Sequence, residues 1–249
     1  MSKLEELSNN KHKSLKIKPD AAIEYAATQH LLNVRVNEVG QAISSFPVFL
    51  MKDTNSGFWK LSAITSFEMG KSLFVQSKKW QAVFTPSMIQ TYPFFLMNKS
   101  QESNEYTIGI VPESEAFSTE NGLDIFESSG KASLQLSKVK SLLEADIGND
   151  IHTFKFGKAL DELDLCKSIN LVLTYQDGAV EKLQGLCTID EDKFNTLNAE
   201  QLEALNKQGY LLPIHALLLS IYQLNALIQR NNADSQFKQI QQIKIEVNK

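Results

Sequence analysis

Apolar and polar positions change period several times along the chain, and each change marks an element. Pro47-Val48-Phe49-Leu50-Met51 is an apolar run opened by proline, and Phe58 to Phe67 alternates after the turn-forming stretch Lys52-Asp53-Thr54-Asn55-Ser56-Gly57. Together they predict an antiparallel pair of strands. A short helical turn is expected over Glu38 to Ser45, a short strand over Ser72 to Gln76, and a brief helix opened by Thr85-Pro86. Pro93 disfavours the helical conformation at Tyr92, so Phe94 to Met97 is expected to be extended. Tyr106 to Val111 is the next strand, across the polar loop Asn98 to Glu105.

The period then lengthens. Leu136, Val139, Leu143 and Ile147 recur at helical spacing, and Phe156, Ala159, Leu160 and Leu163 mark a second helical segment. Ile169 to Tyr175 and Val180 to Ile189 flank Asp177-Gly178, the signature of a hairpin. Asn198 with Gln201 forms a capping box, and Gly209 is placed to stop the helix it starts. Pro213 opens a last helix to about Arg230, with Ile214, Leu217, Leu218, Ile221, Leu224 and Ile228 as its stripe. Leu219, Tyr222 and Ala226 widen that stripe so far that the helix belongs inside the protein. Strands, helices, a hairpin and helices in that order define an α+β fold of antiparallel strands packed with helices.

The polar, lysine-containing residues 1–20 are expected to be a mobile arm and residues 21–230 a single domain. Residues 231–249 are rich in glutamine, with Ile240, Ile243, Ile245 and Val247 partly alternating. They are expected as an extension, either loose or a strand that pairs with something.

Composition narrows the function classes. Hydrophobic residues are 43% and charged residues 22% of 249, ordinary globular values. A net charge of -4 lacks the basic excess that nucleic-acid binding draws on. No secretory signal is evident at the start, and Leu211 to Ile228 is interrupted by Pro213, His215, Ser220, Gln223 and Asn225. It falls short of the roughly 18 apolar residues of a membrane span. Cytoplasmic location is therefore the expectation. The hairpin sets Cys187 opposite Ser168 and leaves Cys166 on a diagonal about 7 to 8 Å away, beyond disulfide reach. Two free thiols in a reducing compartment are expected.

Chemical motifs are sparse. His12, His30, His152 and His215 are scattered, neither cysteine has a partner at zinc-ligand spacing, and there is no phosphate-binding loop or nucleophile elbow. No metal and no cofactor is expected. The acidic clusters Asp161-Glu162-Asp164 and Asp190-Glu191-Asp192 fall at helix ends or turns, where solvated charge and N-capping by Asp190 explain them. Trp80, Phe84, Tyr92, Phe94 and Phe95 are dense around a turn. Bulky groups on both faces of the strand from Phe94 read as core, while the polar handles of Trp80 and Tyr92 suit a pocket wall. The ligand-binding candidates are Trp80, Tyr92, Phe94, His215 and Ser220, and the acid–base candidates are His215 and Glu38.

At these residues the chain resembles the SapC family of bacterial proteins. The resemblance rests on Glu38 with Pro47-Val48-Phe49, Trp80 through Tyr92-Pro93-Phe94, Leu123-Asp124-Ile125-Phe126 before Gly130, and Phe156 with Leu160. It continues in Asp177-Gly178, Gly185-Leu186, Gly209 and Ile214-His215-Ala216 leading to Ser220, covering roughly residues 28 to 230. Where the family typically places arginines before Tyr-Pro-Phe, this chain has Gln90 and Thr91, and an acidic residue near Val111 has no counterpart. The family name is associated with surface layers, and a peptide-permease label attached to some members conflicts with the missing spans. Relatives resemble soluble accessory proteins encoded near flavin-dependent halogenase-like enzymes, cupin-type oxygenases and outer-membrane receptors. The resemblance implies an accessory or binding protein with a protein or peptide partner, its site near 80–97 and the start of the 213–230 helix. An enzyme using His215 and Glu38, or a surface-layer component, are the alternatives, and the oligomeric state is left open.

Overall fold

A computed structural model describes residues 3–54, 56–98 and 105–248. Asn55 of the expected turn and residues 99–104 of the expected loop lie outside the described residues. The N-terminal elements are short: β1 (Glu5–Glu6), α1 (Asn9–His12), β2 (Lys16–Ile17), α2 (Ala21–Ala27) and β3 (Leu31–Val34). A 3-10 turn (Val36–Glu38) runs into α3 (Val39–Ala42). The expected strand pair follows as β4 (Val48–Lys52) and β5 (Trp59–Ile64), in the register Val48↔Ala63 to Lys52↔Trp59. The hairpin β6 (Val75–Gln76) and β7 (Lys79–Trp80) leads to α4 (Ser87–Thr91), and β8 (Phe95–Asn98) pairs antiparallel with β9 (Tyr106–Ile110). β10 (Phe117–Ser118) and β11 (Leu123–Asp124) both pair with β2.

Beyond them run α5 (Leu134–Glu162), the hairpin β12 (Cys166–Tyr175) and β13 (Val180–Ile189), α6 (Glu191–Phe194), α7 (Ala199–Lys207), α8 (Leu211–Ser220), α9 (Gln223–Ala233) and β14 (Ile240–Val247). The largest sheet is antiparallel in the order β14-β12-β13-β4-β5-β3, and a smaller one has the order β1-β9-β8. Helices and antiparallel sheets in these proportions make the fold α+β. Ser168 faces Cys187 as the hairpin pattern requires, and both cysteines are free. Gly185, at φ 80°, sits where the register of that hairpin shifts, a backbone geometry that favours glycine at a bulge.

Three expectations change, and one left open is decided. Residues 3–20 are not an arm: β1 pairs with β9, Leu7 N–H bonds Ile108 O at 2.8 Å, and Ile17 is buried. Buried His12 accepts the Ser8 N–H at Nδ1 (3.0 Å), so its Nε2 donates to Glu5 (2.7 Å). The lysines between these contacts hid them from composition. Second, the two helical segments around Gly148 are one continuous helix of 29 residues, α5, capped by Ser133 Oγ on the Leu136 N–H at 3.2 Å.

Third, the long C-terminal helix is two helices, α8 and α9, bent by 42°. The cause lies at Ser220, fully buried, whose Oγ accepts the Val48 N–H (3.2 Å) and donates among the carbonyls of Val48 (2.9 Å) and Leu217 (2.8 Å). A serine tied both to its own helix and to β4 competes with helix continuation. No single helix among the described residues is long and apolar enough to cross a membrane. Of the two readings left open for the C-terminal stretch, the strand holds: β14 pairs with β12 from Ile169↔Val247 to Tyr175↔Ile240. Asn248 fixes its end through Nδ2 to Ser168 Oγ at 2.9 Å.

The interior has two clusters. The larger holds Phe46, Phe49, Leu61, Phe156, Leu160, Leu171 and Ile214 around the main sheet. The smaller holds Ile17, Phe94, Ile110, Phe117, Ile125, Leu136 and Leu143. α5 thus gives its first half to one interior and its second half to the other.

Candidate functional site

The sequence-predicted site residues are dispersed between those two interiors. Trp80 packs beside Phe46 and Phe74, with ring centroids 6.0 and 6.1 Å away, and its Nε1–H donates to Phe84 O at 2.9 Å. Tyr92 belongs to the smaller interior, stacked on Tyr25 at 4.0 Å with its hydroxyl 3.2 Å from Ser114 Oγ. Burial, and then the charge of Tyr92, push the Tyr25 phenol pKa above its ordinary value. Phe94 is buried against Phe117. The polar handles that suited Trp80 and Tyr92 to a pocket wall are met inside the protein.

Glu38 and His215 do not form a pair. Both Glu38 oxygens hold backbone: Oε2 accepts the Arg35 N–H and Oε1 the Ser87 N–H, each at 2.8 Å. Pro86 leaves α4 without a side-chain cap, and the Glu38 carboxylate, brought by the 3-10 turn, takes that place. His215 was expected inside but is exposed on α8, its ring edge-on to Phe194 at 5.3 Å. Ser220 is the clasp between α8 and β4. Gln90 Nε2 donates to Thr85 O (2.7 Å) and Thr91 Oγ1 to Ser87 O (3.1 Å), so these two residues stabilise α4 locally. Among the described residues no group of three or more His, Cys, Asp or Glu could hold a metal.

Sequence reasoning missed a cluster around α5. Arg35 Nε lies 3.0 and 3.1 Å from the two Asp146 oxygens, Nη2 bonds Asp146 at 2.6 Å, and Nη1 bonds Asp150. Burial opposes the Arg35 charge, but the hydrogen bond and charge of Asp146, then Asp150 and Glu38, outweigh it and raise the pKa. One turn on, Thr153 Oγ1 accepts the Val36 N–H at 2.9 Å. A cavity of about 180 Å³ lies beside this clamp, lined by Arg35, Trp59, Asp150 and the edge-to-face pair Phe58 and Phe154. With all three guanidinium nitrogens engaged, Arg35 is not offered to an anion.

The larger opening lies on the other half of α5. A cavity of about 460 Å³ separates that helix from the β1-β9-β8 sheet. Leu136, Lys140, Leu143 and Ile147 supply the helical wall, spaced so that they share one face. Leu96 and Ile108 supply the sheet wall, and Leu7 closes it from the N-terminal segment. Polar groups gather at the rim: Glu6 accepts from Thr107 Oγ1 at 2.8 Å, and Lys140 lies 3.8 Å from Glu144. Asn9, also in the lining, keeps its Oδ1 buried and without a partner. Its amide lies so close to Gly130 that a Cβ there would stand 2.8 Å from Asn9 Nδ2. The helical stripe Leu136 to Ile147 and the strands around Leu96 and Ile108 are the sequence signals for its walls; nothing in the polar N-terminus marks Asn9.

The fold and cavity define an α+β protein with an amphipathic pocket between a long helix and a small sheet. No curated protein and no solved structure matches the chain. The SapC family pattern matches residues 7–227, and the chain belongs to the SapC family. The matched stretch takes in Leu7, Asn9 and every element that builds the cavity except β1.

Proposed function

We propose that this SapC-family chain is a binding protein, not an enzyme, and that it takes a small amphipathic molecule in the cavity between α5 and the β1-β9-β8 sheet. The observation that carries this is a cavity of ligand size with an apolar wall and a charged rim, and with the buried, unpartnered Asn9 Oδ1 among its lining residues. A buried acceptor without a partner costs about 1–3 kcal/mol, which a ligand's N–H or O–H recovers. The ligand places its apolar body against Leu143, Ile147 and Ile108 and a donor toward Asn9. Lys140 and Glu144 at the rim suit a polar head. The acid–base alternative loses support because Glu38 is occupied by two backbone amides and His215 stands apart on α8.

The test uses 1-anilinonaphthalene-8-sulfonate, which joins an apolar ring system to an N–H donor. The native chain is expected to bind it saturably, and Ile147→Trp, which fills the cavity from a half-buried position, weakens binding about tenfold, or about 1.4 kcal/mol. Equal binding by the variant, or unsaturable binding by the native chain, would remove the proposal. Circular dichroism shows that the variant is folded.

A further inference from the structure

β14 leaves a long edge of the main sheet open. Asn248 N–H bonds Ser168 O at 3.0 Å, so by antiparallel alternation Glu246, Lys244 and Gln242 turn their backbone groups toward β12. Ile243, Ile245 and Val247 therefore turn theirs outward, where no strand stands beside them among the described residues. Their side chains lie across from Leu173, Leu171 and Ile169, on the buried face of the sheet. Yet Ile245 is 41% and Val247 56% exposed, although Leu171 and Ile169 beside them are buried. The core face of the sheet continues to an edge that nothing among the described residues covers. Edges of this kind are templates for another strand.

The charges on the opposite face specify which strand. Lys244 and Glu246 flank Ile245 symmetrically with opposite sign. We propose that a second copy of this chain pairs antiparallel with β14 about a two-fold axis through Ile245. Ile245 then faces its own copy, Ile243 faces Val247 of the second copy, and Lys244 faces Glu246 of the second copy. A shift of two residues either way sets Lys244 against Lys244 or Glu246 against Glu246, and a slip of one sets Lys244 against Ile245. One register alone satisfies both faces, and it is the isologous one that a symmetric dimer requires. Lys244 has no ion-pair partner among the described residues, whereas Glu246 already holds Lys182 at 2.9 Å and gains a second cation in the dimer. The strand lies beyond residues 7–227, so the contact is a property of this chain and not one that family membership entails.

Sedimentation velocity of the full chain up to about 100 µM tests this, with a dimer expected in the micromolar range. Lys244→Glu is expected to weaken association at least about tenfold, and Lys244→Glu with Glu246→Lys to restore it. Ile245→Pro removes an outward N–H and leaves the β12 ladder intact, so a folded monomer is expected. A native chain that stays monomeric, whether or not it captures another protein's strand, overturns the proposal. So does a dimer indifferent to Lys244→Glu, or a double variant as weak as the single one. Unchanged far-ultraviolet circular dichroism separates lost association from lost folding.

Discussion

The two halves of α5 face different interiors, and the difference between them shows where the molecule is built for stability and where for binding. The C-terminal half meets the main sheet closely: Phe156 and Leu160 are fully buried, and Gly157 lies against Trp59 where a Cβ would come within 2.9 Å. The N-terminal half buries Leu136, Val139 and Leu143 but leaves the larger of the two cavities and the orphaned Asn9 acceptor beside them. Between the halves, the Arg35 clamp on Asp146 and Asp150 fixes the helix to the 3-10 turn. The closely packed half and the clamp thus hold in position the half that lines the larger cavity.

Two leucine truncations should measure that contrast directly. Leu160→Ala leaves a void in close packing and is expected to cost about 4 kcal/mol, while Leu143→Ala, beside space that already exists, costs about 2.5 kcal/mol. Urea denaturation reads both. Equal losses would mean that the two interiors are packed alike. Breaking the junction comes next: Arg35→Ala strands the nearly buried Asp146 carboxylate and is expected to cost about 3 kcal/mol. Asp150→Ala removes the more exposed partner and costs about 0.5 kcal/mol. A double variant Arg35→Ala/Asp146→Ala should recover part of the loss, because no buried charge is then left alone.

The well-packed half was also the more legible one. Proline-opened β4, the Asp177-Gly178 hairpin, and the capping box of Asn198 (Gln201 N–H to Oδ1, 2.9 Å) are local signals, and the structure keeps each of them. Gly209 stops α7 with φ at 73°, as a C-terminal glycine does. What escaped the sequence is set by distant partners. Gly148 lies within α5 between Asp146 and Asp150, both held by Arg35, 111 residues from Asp146. The bend after Ser220 depends on Val48, 172 residues away. The N-terminal segment looked solvated because its polar and charged residues outnumber its apolar ones, yet it docks onto β9 at Leu7 and onto β10 at Ile17. The cavity shares that origin in part: Glu6, Leu7 and Asn9 of its wall come from a segment whose composition gave no reason to fold.

Smaller effects probe the main sheet beside Asp161 at the end of α5. The Cys166 thiol pKa is pushed up from 9.0 to about 12, first by burial and then by the nearby charges of Asp161 and Cys187. The folded chain therefore holds this proton more tightly than the unfolded chain. That contribution to stability is complete below pH 9 and is lost as pH rises toward 12. Alkylation by iodoacetamide at pH 8 should be much slower for Cys166 in the native chain than in urea, and Cys166→Ala should flatten the decline in melting temperature above pH 9. A native thiol as reactive as the unfolded one contradicts the burial.

The smallest stability change is the most telling about the looser half. An acceptor that already lacks a partner contributes nothing that truncation can remove, so Asn9→Leu is expected to leave stability within about 0.5 kcal/mol of the native chain or raise it. Ser220→Ala, which strands the buried backbone groups of Val48, costs about 1–2 kcal/mol by the same reasoning. Binding should move the opposite way: Asn9→Leu weakens 1-anilinonaphthalene-8-sulfonate about tenfold, since the ligand's donor loses its acceptor. A destabilised Asn9→Leu with unchanged affinity would mean that Asn9 belongs to the packing of α1 on Gly130. A neutral one with weakened affinity means that its oxygen is kept for something that comes from outside.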